Sequence, residues 1–300
     1  MSVIQRIQAA QPAPGRVSCR LIETSHLPAI IDLLHAGFHR RSRQYWELGL
    51  RRLAQHRPPE GFPQFGYMLQ SAGRPVGVHL VIASTSPDDP NSAVRCNGSS
   101  WYVEEAFRSY GLVLLMRATR QQPAVYTNID PRPATVPIIE SQGFRQFSQG
   151  VFAALPLLAR TRTAPVRLLA RRTDWEAEGI PAADLHLLTD HAAFGCLGLW
   201  CKTPTGGQPL IFRRRRIKPG GIPCGQLIYC RSLESLEELA GPAGRFLAAR
   251  GMPVMLVASG RPLRGVPGRF FPEKLPMYFK GAQPPRVGDL SYTEAALLGL

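Results

Sequence analysis

Lysine is nearly missing from this chain: four of its 36 basic residues are lysine, a bias that fits the arginine preference of a GC-rich genome. Acidic residues are few as well, 21 in all. No C-x-x-C pair occurs among the six cysteines at 19, 96, 196, 201, 224 and 230. The closest spacing is Cys196 to Cys201, so neither a zinc ribbon nor a redox motif is supported and free thiols are expected. No stretch of eighteen apolar residues occurs, which excludes a membrane-spanning helix. The opening residues, MSVIQRIQAAQPAPGR, have no continuous apolar run ahead of a small-residue cleavage site, so the expected location is the cytoplasm.

What is present fits a soluble chain of two domains: 300 residues, 44% hydrophobic and 19% charged. The net charge of +15 raises nucleic acid or an anionic membrane as a partner. The arginines are spread over both halves, in clusters at 40–41, 51–52, 171–172 and 213–216, and nucleic acid is not the favoured partner. Residues 213–216 lie in a strand pattern, so 213 and 215 face one way and 214 and 216 the other. One of these pairs is placed to meet an anionic acceptor between the halves, and a solvated edge is the plainer alternative.

Residues 1–15, rich in Gln, Ala and Pro, are expected to form a flexible arm. Strand-like Val17 to Glu23 is followed by Ser25, an N-cap candidate for a helix whose Leu27, Ile30, Ile31, Leu33, Leu34 and Phe38 recur with helical spacing. A second helix is expected over 43–55, then strands over 66–70, 75–84 and 95–103, the first two joined by an Ala-Gly-Arg turn. His35 and His39, four apart on the first helix, share a face, but no third ligand is evident and no metal is expected.

After a proline-bounded basic connector at 157–165, the second half repeats the theme: strands at 197–202, 210–217 and 226–231, a helix over 235–250 and a strand over 253–258. The segment RFFPEKLPMYFKG, 269–281, either lines the acceptor side or closes the second sheet.

Trp101 to Leu115, WYVEEAFRSYGLVLL, runs from an apolar strand through Arg108-Ser109-Tyr110-Gly111 into an amphipathic helix. Unpaired N–H groups and partial positive charge at a helix start form an anion cradle, and Gly111 would let a ligand approach the backbone. Farther on, 124–144 reads AVYTNIDPRPATVPIIESQGF. Together these segments resemble the GNAT N-acyltransferase superfamily. Its V-x-P-x-x-[RQ]-x-x-G-x-[GA] stretch is matched at Val103, Arg108 and Gly111, with Glu105 for the proline and Val113 for the last small residue. Its N-x-x-A-x-x-[LF]-Y-x-x-x-G-F stretch is met by Ala134, Gly143 and Phe144, with Asn128 near the strand end and Ile139 in place of the tyrosine.

The resemblance implies an α/β (α+β) fold: a mixed, largely antiparallel sheet flanked by helices, in two tandem copies. The acyl-CoA-binding copy would be 16–156 and a degenerate one 166–300, where no R-x-x-G precedes the helix and glutamates crowd its start. Acetyl-CoA or another acyl-CoA would be held by Val103, Arg108, Ser109, Tyr110, Gly111, Leu112, Val113 and Asn128. Transfer of the acyl group to an amine needs that amine deprotonated. Glu104 or Glu105 is the carboxylate available at the strand end, and Tyr102 and Tyr126 are the nearby phenols in the absence of a tyrosine at 139. The acceptor would be a small-molecule or protein amine. Alternatives are a non-catalytic acyl-CoA-binding or scaffold protein, suggested by Ile139 and Val113, and an aminoacyl-tRNA-dependent transferase, suggested by the charge and the tandem.

Overall fold

The computed structural model describes residues 16–86, 93–160, 165–204, 206–217 and 220–299. The expected arm at 1–15 and residues 161–164 of the connector lie outside them. The first half runs β1 (Ser18–Leu21), α1 (Leu27–Gly37), α2 (Arg43–Gln55), β2 (Gly66–Ser71), β3 (Arg74–Ser84), β4 (Val94–Val103), α3 (Gly111–Ala118), β5 (Ala124–Asn128), α4 (Val136–Ser141) and β6 (Arg145–Ser148). β7 (Val151–Ala154) ends the first half, and the second runs β8 (Arg167–Leu169), α5 (Arg172–Glu178), α6 (Ala182–Ala193), β9 (Leu197–Thr203), β10 (Gly206–Ile217) and β11 (Ile222–Tyr229). It ends with α7 (Leu233–Ala248), β12 (Val254–Val257), β13 (Gly268–Phe271), β14 (Met277–Lys280) and α8 (Glu294–Leu297).

Local chemistry sets most boundaries. Ser42 caps α2, its hydroxyl accepting from the Tyr45 N–H at 3.2 Å. Ser25 does not cap α1: it lies inside a 3-10 turn, Thr24–His26, that Glu23 and His26 hold reciprocally, and the helix starts after His26 with Pro28 in its first turn. Because α1 ends at Gly37, His35 and His39 do not share a helical face. Ala72 and Gly73, at φ 47° and 78°, make the left-handed turn between β2 and β3 that matches strand twist.

Two seven-stranded sheets result, in the orders β1-β2-β3-β4-β5-β14-β6 and β13-β7-β12-β11-β10-β9-β8. In each a single pair is parallel, β4 with β5 and β11 with β12, and the rest are antiparallel. The halves exchange strands. β7 pairs with β12 and β13 in the second sheet, and β14 returns to the first, between β5 and β6. The 269–281 segment therefore splits, its first strand in one sheet and its second in the other. A cut after residue 156 divides the sequence, but not one sheet from the other.

The burial pattern follows. α3 and α4 cover one face of the first sheet through Leu114, Leu115, Ala118 and Ile139, and α7 covers one face of the second through Leu236, Leu239, Ala243 and Leu247. The remaining faces share one core with α1, α2, α5 and α6, and Leu290, Tyr292 and residues 295–298 lie in it. Ile30, Leu34, Trp46, Leu188, Ile211 and Leu297 are each at most 1% exposed there, so burial at roughly 25 cal/mol per Å² of apolar surface holds the halves and the C-terminal segment together.

Candidate functional site

The two parallel strand pairs open in the same place and end differently. β4 and β5 are in register from Val94/Ala124 to Asn97/Thr127 and then separate. Just beyond, β4 bulges: Val78 of β3 faces Tyr102 while Leu80 faces Ser99, and the extra residue, Ser100, has φ 51°. β3 takes one edge of β4 as far as Val103, and among the described residues no strand pairs with the other edge beyond Asn97.

In the second half β11 and β12 separate after Gln226/Leu256. Here the vacated edge is filled by the chain itself. The Leu290 N–H donates to Ile228 O at 2.7 Å, the Cys230 N–H donates to Gly288 O at 3.0 Å, and Asp289 bridges Tyr229. β10 already holds the opposite edge of β11 as far as Tyr229, so residues 288–290 lie where β12 has turned away.

From there the C-terminal segment crosses to the inner face of β4. Arg95 forms an ion pair with Asp289 at 2.5 Å and donates to the Ser291 hydroxyl at 2.9 Å. Asn97 Oδ1 accepts the Glu294 N–H at 2.8 Å. The Ser99 hydroxyl donates to the Glu294 carboxylate and lies 3.0 Å from the Ser100 hydroxyl. Residues 95, 97 and 99 share a strand face, so one alternation of β4 fastens the whole segment. The second half holds it from the other side: His191 Nε2 accepts the Tyr292 N–H at 3.3 Å, Tyr292 donates to Asp190 at 2.8 Å, and Arg213 donates to Ala296 O.

Glu294 is therefore a buried carboxyl at the bulge, and desolvation pushes its pKa up to about 8, with the Ser99 hydrogen bond opposing. Nothing in the first hundred residues points to it. The segment that carries it, YTEAALLGL, has this acid as its one charged side chain.

The residues singled out from sequence do not converge. Glu104 is at the strand end but is held bidentately by Arg74, at 2.6 and 2.8 Å. Tyr102 faces α1, packed on Gly37 and Phe38. Tyr126 is buried under α3 and α4 and donates to Gln121 O at 2.8 Å. Val103 packs on Gly77, and Asn128 pairs with Tyr278 of β14 at the mouth of the opening. Arg108, Ser109 and Tyr110 are exposed in a 3-10 turn, Glu105–Tyr110, that runs straight into α3, and Leu112 and Val113 are exposed on its first turn.

Gly111 opens α3 directly after the turn. Its backbone is right-handed helical, φ −57°, its N–H is taken by Arg108 O, and a Cβ there would make ordinary contacts at 3.5 Å with Trp101 and 3.8 Å with Val103. Glycine is not required there by the backbone. A continuous 3-10 run engages amides that a looser glycine turn would leave free.

No known family profile and no curated protein sequence matches the chain. Solved structures do. A GCN5-related N-acetyltransferase from Anabaena variabilis superposes with a TM-score of 0.57 at 9% identity, over 88% of this chain and 72% of that one. One from Kribbella flavida gives 0.52 at 11% identity, over 89% and 71%. The GCN5-related glucosamine N-acetyltransferase region of a fungal multi-domain GH3 β-N-acetylglucosaminidase gives 0.52 at 11% identity, over 90% and 38%.

The chain has the GNAT fold. Its two GNAT-like halves stand in tandem. In the first half the opening between β4 and β5 is lined by His79, Trp101, Leu115, Thr119, Ile139 and Phe144, and leaves about 10 Å³ free, at the limit of what one water needs. His79 stacks on Trp101 with ring centroids 5.8 Å apart. His79 Nδ1 and Trp101 Nε1 are both buried without a hydrogen-bond partner, and desolvation lowers the His79 pKa to about 4. Unsatisfied buried groups of this kind each cost about 1–3 kcal/mol. Toward the turn, Arg108 is the exposed cation, 3.6 Å from the Glu105 carboxylate.

A second polar zone lies on the far side of the bulge, where the halves meet. Arg41 stacks 4.7 Å from the Tyr45 ring centroid, Tyr45 OH is buried without a partner, and Arg215 of β10 donates to Gln226 at 2.9 Å. Asp130, just past β5, is reached by solvent yet crowded by protein, so desolvation raises its pKa while Arg215 lowers it. No group of three or more metal-ligating side chains occurs among the described residues, and no helix among them is long and apolar enough to cross a membrane.

Proposed function

We propose that the protein is an acyl-CoA-dependent N-acyltransferase whose first half, 16–156, binds the donor and whose second half, 166–300, completes the acceptor side. The observation that carries this is the asymmetry of the two openings: the second is closed by residues 288–290, and the first keeps a free β4 edge beside a bulge with a buried carboxyl behind it. The arm of the donor would lie along that edge against His79 and Trp101, with Asn128 at the mouth and Arg108 meeting the phosphates. Acyl-CoA supplies the activated acyl group as a thioester, whose C–S bond breaks as the C–N bond to the amine forms.

The chain's own task is the amine proton. Ser100 and Ser99 form a hydroxyl pair leading from the bulge to Glu294, so a proton released at Ser100 reaches the Glu294 carboxylate without passing through bulk water. It returns from there to the departing thiolate or to solvent. With its pKa near 8, Glu294 is poised for this exchange. Glu104, tied to Arg74, is not.

The test joins binding to turnover. Acetyl-CoA at about 100 Kd is expected to stabilise the protein by roughly 2.7 kcal/mol. Glu294→Gln is expected to keep that stabilisation and to lower kcat for CoA release with an amine on the order of 100-fold. Absence of stabilisation by acetyl-CoA and by longer acyl-CoAs would overturn the assignment in favour of a scaffold or RNA-directed role.

A further inference from the structure

Where the halves meet, two arginines stand without an ion-pair partner among the described residues. The Arg41 guanidinium has no hydrogen-bond or carboxylate partner among the described residues and rests on Tyr45. Arg215 bonds only to the neutral amide of Gln226, is half-buried, and is repelled by Arg41. Desolvation and that like charge both weaken the hold on its proton. Asp130 is the acid within electrostatic range of Arg215, but the two are not ion-paired. Glu294, near Arg41, is not ion-paired with it and accepts from the Ser99 hydroxyl instead. Half-buried cations are ordinarily paired, because an unpaired one loses hydration without recovering it.

The contrast with other arginines sharpens this. Arg95 and Arg261, also partly buried, each hold a carboxylate at 2.5 Å. Arg213, the neighbour of Arg215 on the same strand face, is occupied with the carbonyls of Phe194 and Ala296. Arg41 comes from the link between α1 and α2, and Arg215 from β10, so each half places on the acceptor side of the bulge a guanidinium with no carboxylate partner among the described residues.

We propose, resting on the acyl-transfer assignment, that the acceptor is an amine carrying an anionic group, a carboxylate or a phosphate, gripped between Arg41 and Arg215 with Asp130 near its ammonium end. Guanidinium forks match both anions in a planar, bidentate way. The role of the degenerate half is then to read the acceptor.

The experiment has two arms on the full chain. In the first, CoA release from acetyl-CoA is followed with matched amines: phenylalanine against phenethylamine for a carboxylate, and glucosamine 6-phosphate against glucosamine for a phosphate. The expected result is a kcat/KM at least tenfold higher for the anionic member of one pair, the preferred pair identifying which anion is read. In the second, the melting temperature is measured in citrate and in inorganic phosphate against chloride at equal ionic strength. Stabilisation is expected in the native chain, reduced about tenfold in apparent affinity in Arg41→Gln and in Arg215→Gln, and unchanged in Arg214→Gln, which faces solvent on the other side of β10.

Turnover of neutral amines as efficient as that of anionic ones, or anion stabilisation equal in all three variants, would overturn the proposal while leaving acyl transfer intact. Anion stabilisation lost in Arg41→Gln and Arg215→Gln without any acetyl-CoA binding would uphold the anion site and sink the transferase assignment instead.

Discussion

Replacing Glu294 by glutamine should remove the alkaline instability of this protein. In the unfolded chain this carboxyl titrates near 4.5, and in the folded chain burial moves it to about 8. Between those values the folded state holds a proton that the unfolded state has released, so stability falls as pH rises through that window and levels off above it. At about 1.36 kcal/mol per pH unit, the three units from pH 5 to 8 amount to roughly 4 kcal/mol. Glutamine is nearly isosteric, still accepts from the Ser99 hydroxyl, and does not titrate. At pH 5 the two proteins should unfold at similar urea concentrations, and by pH 8 the variant should be the more stable by roughly that amount. Urea titrations at unit intervals from pH 5 to 9, followed by near-UV circular dichroism, measure the difference. Parallel curves for the two proteins across the range would refute the burial argument, because they would mean that Glu294 is ionised in the folded state throughout.

The acid limb should have a different origin. Burial lowers His79 and His191 from 6.5 to about 4, so each is neutral in the folded state where the unfolded chain would protonate it, and stability is lost as pH falls from 6.5 to 4 by roughly 3 kcal/mol per histidine. His79→Phe should halve that slope in urea titrations. Asp289→Ala leaves Arg95 without its main partner beside the C-terminal segment and should cost about 3–5 kcal/mol in denaturant unfolding. It should also make the segment cleavable by added protease. Glu104→Ala breaks only a surface pair with Arg74 and should change stability by about 1 kcal/mol or less, with CoA release unaffected. A large loss of turnover in Glu104→Ala would return the proton-accepting role to the strand end.

The order of elements and the tandem were legible because each rests on local signals: period-2 and period-3.6 apolar spacing, the Ala72-Gly73 turn, and the matched Val103, Arg108 and Gly111. The chemistry was not, for a reason that particular residues make plain. Glu294 and Ser99 are 195 residues apart and meet because Arg95 and Asn97 fasten a tail that reads, by itself, as an ordinary apolar terminus. Glu104, by contrast, sits beside the motif in sequence and is drawn off by Arg74, thirty residues earlier, across two strands. Gly111 was read as a cradle glycine from its spacing alone, whereas the 3-10 turn before it decides where its N–H points.

The strand exchange bears on how the chain must be made. β6 is attached to the first sheet only through β14, which begins at residue 277. A ribosome that has delivered all of residues 16–156 has therefore produced a sheet with a missing member, and β5 and β6 wait with open edges until more than a hundred further residues emerge. Pairings of such long sequence separation form slowly, and an incomplete sheet is exposed to self-association meanwhile. Expression of the first half alone should yield aggregates where the whole chain yields soluble protein, and supplying the second half during refolding, rather than after it, should rescue it.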